Sequence, residues 1–145
     1  MNHLAIARAL LSLLCVLQGL ATPAIDLNHT HATNPAWPGH ARFHVVWQTM
    51  SVALLSVLEL ALIWWHGPYA EQRFYLVLLL ASISPLGFLI AFLCRRSFGA
   101  TLSDPNGMPQ ARLAIFGTIL SVDLNIVAIV TALLSLAVIL AIYTR

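Results

Sequence analysis

Four of the six histidines, two of the four tryptophans, Asp26 and Arg42 fall within residues 26–48, DLNHTHATNPAWPGHARFHVVWQ. Imidazoles and carboxylates move protons near neutral pH and ligate transition metals. His40 and His44 stand four apart, so a helix places both rings on one face, where two nitrogens can reach a single ion. Gln48 extends that face by one turn. His29 and His31 alternate just upstream and would point the same way in an extended segment. Asp26, His31, His40 and His44 are therefore candidate metal ligands and, equally, candidate acid–base catalysts. The cofactor such a set would take is a transition-metal ion, and the residue types do not choose among zinc, iron, copper and manganese. Asn34, Trp37, Arg42 and Gln48 are the accompanying ligand-binding candidates. Arg42 could pair with Asp26 or grip a lipid phosphate. Trp37 could wall a flat ligand, whereas Trp47 reads as an interfacial anchor. Any one of these histidines would also suit the headgroup region without further duty, as amphipathic rings do.

Glu59, Asp123 and Asn125 are the polar residues expected inside apolar runs, where an ionisable group marks a functional site by default. Glu59 falls about 20° from Gln48 around a helix, so a polar seam from His40 to Glu59 is expected to face inward. Along the axis, Glu59 is about 28 Å from His40, too far for one shell of ligands. Asp123 is expected to face the second helix near Gln48 or His44. Interhelical hydrogen bonding is the plainer role for these carboxylates. No GxSxG elbow and no phosphate-cradling glycine loop is present, so hydrolase triads and nucleotide sites have no support.

The elements that must hold these groups are apolar. Sixty per cent of the 145 residues are hydrophobic and 8% charged, with mean hydropathy +0.88; a soluble domain carries roughly a quarter charged residues. Apolar runs at about 4–21, 45–65, 74–94 and 113–142 each reach the ~20 residues needed to cross a hydrocarbon core. They predict an all-α integral membrane bundle of four transmembrane helices in a single domain. Pro38 suits a helical first turn, so the second helix is expected to start between Trp37 and Ala41, after a motif loop over 26–44. Pro85 in the third run predicts a kink. The fourth run, about thirty residues long, is expected to tilt or to project beyond the bilayer. Asp104-Pro105-Asn106-Gly107 predicts a turn. Arg8 followed by an apolar stretch has the look of a secretory signal, but a retained helix, which ties the motif to the bundle, is expected. Arginines divide four against three between the two sides, which sets no orientation. Net charge is +2 with no basic run, which argues against nucleic acid as a partner. Cys15 and Cys94 lie in apolar surroundings and have no redox spacing.

At THATNPAWPGHARFHVVWQTMS the chain resembles an uncharacterised family of small four-span membrane proteins found in fungi and bacteria. The shared pattern is D-x-N-x-T-H-x-x-N-P-x-W-P-x-H-A-R-F-H-x-x-x-Q, and residues from Asp26 to Gln48 match it; His29 lies outside it. The resemblance implies the four-span fold and a membrane location, and no particular reaction. The expected function is an interfacial His/Asp/Asn/Arg site that binds or transforms a small lipid-soluble molecule, with or without a metal. The alternatives are a non-enzymatic subunit whose motif loop docks a partner, and a metal or proton-coupled carrier that would have to form a homo-oligomer.

Overall fold

A computed structural model describes residues 2–104, 106, 109–115 and 117–145. Four helices, α1 (His3–Asp26), α2 (Gly39–Trp64), α3 (Ala70–Cys94) and α4 (Leu124–Tyr143), form an all-α bundle. All four are long and apolar enough to cross a membrane. A short 3-10 turn, Arg95–Phe98, follows α3, and an antiparallel hairpin of β1 (Ala111–Ile115) and β2 (Thr118–Val122) precedes α4. α2 starts directly after Pro38, whose fixed φ suits the entry to a helix.

The fourth apolar run departs from expectation. Instead of one long helix over 113–142, its first third is the hairpin, with Leu113 opposite Leu120 and Ala111 opposite Val122. The turn passes through Gly117 at φ 78, a conformation open to glycine. Thr118, Ile119 and Val122 are β-branched and favour an extended backbone. The remaining helix has 20 residues, about 30 Å, so it matches a hydrocarbon core without excess length. Elsewhere the helices run longer than the apolar stretches: α1 continues through Pro23 to Asp26, and α3 begins at Ala70. Within the expected 104–107 turn, Pro105 and Gly107 lie outside the described residues.

α1 is the central packing helix. Ala7, Leu11, Cys15 and Gly19 recur every fourth residue and are all buried, the stripe that a 3.6-residue period sends to one side. α2 meets it with Thr49, Ser56, Glu59 and Ile63. The Ser56 hydroxyl donates to the Cys15 carbonyl across this contact. α3 contributes Phe74, Val77, Ala81 and Pro85, and α4 contributes Leu136 and Ile139. The Phe74 and Tyr143 rings stack at 3.7 Å, joining α3 to the end of α4.

Two arginines close the far end of α2. Arg8 donates to the Ile63 carbonyl and lies over the Trp64 ring. Arg73 donates to the Leu62, Trp65, Gly67 and Pro68 carbonyls. The last carbonyls of a helix have no partner within it, and a cation suits the negative end of its dipole.

Pro85 has no N–H, which leaves the carbonyl four residues earlier, that of Ala81, without its helical partner. Gln18 of α1 supplies one, its amide nitrogen lying 3.0 Å from the Ala81 oxygen. Gln18→Leu should therefore cost about 1 kcal/mol of stability, the penalty of an unmet carbonyl in apolar surroundings. Thermal unfolding in detergent measures it; an unchanged midpoint would mean that the carbonyl finds another donor.

Candidate functional site

The motif loop is built by its own side chains. Asn28 donates to the Ala24 and Ile25 carbonyls and closes α1, while its carbonyl oxygen accepts from the Thr30 amide and hydroxyl. Such local bonding is what Asn offers a turn. Asn34, only 3% exposed, donates to the Thr30 carbonyl at 3.1 Å and to the Asn106 carbonyl at 2.6 Å. Its own oxygen accepts from the Ala36 amide. With both amide hydrogens committed and its oxygen bonded to the Ala36 amide, Asn34, a ligand-binding candidate, serves as a staple between the two connections on this side of the bundle.

The four expected metal ligands separate into two pairs. Asp26 ends α1; its Oδ2 accepts from the Thr49 hydroxyl at 3.1 Å, and its Oδ1 lies 3.9 Å from His31 Nδ1. That same nitrogen bonds the Thr30 hydroxyl at 2.8 Å, and the His31 ring sits edge-on to Trp37. His40 and His44 form the second pair, with Nε2 atoms 3.0 Å apart on the exposed side of α2. Among the described residues no three His, Cys, Asp or Glu side chains come close enough to hold one ion. The reason is rotational. Thr49, the residue of α2 that meets Asp26, is half a turn around the helix from His40.

The polar seam of α2 is likewise placed differently. Gln48 and His44 are exposed, and the inward face runs through Thr49, Ser56 and Glu59. Trp47 is 59% exposed beside Phe43 and His44, as an interfacial anchor would be. Arg42 makes no ion pair among the described residues. Asp123 is the N-cap of α4, accepting from the Asn125 and Ile126 amides, a task for which Asp is among the best side chains. Its side chain makes no hydrogen bond to α2 among the described residues.

A cavity of about 420 Å³ opens between α1, α3 and α4, with Val52 of α2 at its edge. Asp26 and Asn125, two of the expected site residues, line it together with Gln18, Thr22, Ser84, Thr131 and Ser135. Its remaining wall is largely apolar, including Leu14, Leu17, Ile25, Phe88 and Ile129. Pro85 lies in that wall, at the kink-prone point of α3. A few polar groups set in an apolar hollow of this size are the usual make-up of a small-molecule site. Gln18, Thr22 and Thr131 escape a search for ionisable residues. Gln18 nonetheless had a signal, as a lone amide in the first apolar run.

No family model, curated protein or solved structure matches the chain.

Proposed function

We propose that this chain is a multi-pass integral membrane protein that binds a small lipid-soluble molecule in the cavity between α1, α3 and α4. The observation that carries the reading is Asp26 in the lining of a cavity whose other wall residues are apolar or uncharged. Among the described residues, the Asp26 carboxylate is held by one hydrogen-bond donor, Thr49, through one oxygen. A carboxylate has about four acceptor positions, so Oδ1 has capacity for a donor on a ligand. The ligand is thus a largely apolar molecule with a hydrogen-bond-donating head. Lateral access from the bilayer suits such a molecule, which is already dissolved there. Should the protein transform what it binds, Asp26, the titratable group in the cavity wall, is the one that would exchange a proton with it.

Ala132 lies in the cavity wall, and Ala132→Phe should fill the space. Extracts of wild-type protein purified in mild detergent should contain a lipid-soluble compound in near-stoichiometric amount by mass spectrometry. Ala132→Phe should lack it, and Asp26→Asn should bind it about tenfold more weakly, as expected for the loss of a charged hydrogen bond. Equal retention of the same compounds by all three proteins would overturn the proposal.

A further inference from the structure

The cavity does not end where the polar groups end. A second hollow of about 360 Å³ lies between α1 and α4, lined by Leu10, Leu13, Leu134 and Val138. The two share Leu14, Leu17, Thr131 and Ser135 as wall residues, so they adjoin along the same pair of helices. From Asp26 at one end to Leu10 at the other is sixteen residues of α1, about 24 Å at 1.5 Å per residue. That length is wasted on a compact ligand and fits an extended chain.

The head end has one sign of charge. Among the described residues, Asp26 is the only ionisable side chain in either lining. Its Oδ1 has His31 Nδ1 only at 3.9 Å, and that nitrogen is already engaged by Thr30. An anionic head would meet repulsion there, and a cation would meet its complement. We propose that the ligand is a single-chain amphiphile with an amine head at Asp26 and its hydrocarbon tail in the α1–α4 groove. This deepens the cavity reading and rests on it.

The two ends contribute differently. A tail that leaves lipid for the groove exchanges one apolar surrounding for another, so the head supplies most of the affinity and the tail adds a smaller share through close packing against the groove wall. The groove acts as a sieve on tail length and shape. Val138 lines the groove and not the cavity, and its side chain is 56% exposed, so Val138→Trp should obstruct the tail channel without disturbing the fold.

The test uses protein in nanodiscs, with tritiated hexadecylamine as probe and hexylamine, hexadecanol and palmitate as competitors. Partition into the disc is the same for every variant and cancels in their comparison. Wild type should bind hexadecylamine saturably, and palmitate should not displace it. Val138→Trp should weaken hexadecylamine about tenfold and leave hexylamine unchanged, whereas Asp26→Asn should weaken both amines. If Val138→Trp leaves both amines untouched while Asp26→Asn weakens both, the tail assignment is wrong and the cavity reading stands. Hexadecanol or palmitate displacing the probe as well as the amine does would overturn the head assignment. Absence of saturable amine binding, with a different compound extracted from wild type but not from Ala132→Phe, overturns the amphiphile alone. Absence of both overturns the cavity reading as well.

Discussion

Gly19→Val should be among the most damaging single substitutions in this protein. A Cβ at Gly19 would lie 2.5 Å from Ser56 Oγ and 2.6 Å from Ser56 Cβ, inside any tolerable contact. The hydroxyl could rotate away, but the Ser56 Cβ is fixed to α2, so α1 and α2 must separate. Separation would also break the bond from the Ser56 hydroxyl to the Cys15 carbonyl and loosen Leu11 and Cys15, both fully buried. Helices in membranes associate by close packing rather than by expulsion of water, which is why small residues sit where they cross. Overpacking costs about 1–3 kcal/mol, and the lost hydrogen bond adds about 1 kcal/mol; a loss near the sum of the two is expected, read as a fall in Tm. The pairing itself can be checked with Ser56→Gly. Combined with Gly19→Ala it should recover part of the stability that Gly19→Ala alone loses, a coupling of about 1 kcal/mol. Independent, additive effects would show that this contact does not set the helix spacing.

The four-helix plan was legible because run length and polarity answer to the thickness of a bilayer, and α2 began where Pro38 marked it. Length alone misled at the fourth run. The alternation LAI and TILSV around Gly117, followed by Asp123 ahead of Asn125, carries the signs of a hairpin and a helix cap. These are local signals that an apolar average conceals. Site legibility failed for a different reason. Residue types identify groups capable of chemistry, but the face each occupies depends on which neighbour covers it. Gln48 and Thr49 differ by one position, and only Thr49 meets α1 through Asp26. Its type and spacing make Asp26 a candidate metal ligand, and the fold sets it in the lining of a cavity. That cavity is made by three helices and cannot be read from any one of them. Gln18 illustrates the same point: its partner carbonyl is set free by Pro85, 67 residues later.

Glu59→Leu should stabilise the protein by about 2 kcal/mol. Glu59 is 2% exposed and its Oε1 has no hydrogen-bond partner among the described residues. Its neighbour on α1 is the Cys15 thiol, a weak donor. Unmet buried polar atoms cost about 1–3 kcal/mol, and apolar replacement of imperfectly satisfied buried polar groups is often neutral or stabilising. Leu has a similar volume, so little cavity is left behind. Glu59→Gln should fall between the two, since an amide keeps an oxygen at the same place but carries no charge in any state. The measurement is Tm in detergent for the three proteins, with binding to the cavity between α1, α3 and α4 followed alongside. Glu59 does not line that cavity, so binding should survive the substitution. A fall in Tm for Glu59→Leu would mean that Oε1 is satisfied by a group such as a buried water. It would also return Glu59 to the working residues, as the one carboxylate buried among the packed helices in the described residues. A rise in Tm with binding intact would make Glu59 a cost the fold bears without benefit to this site. The carrier alternative would then lose both of its relay carboxylates, because Asp123 is occupied in capping α4.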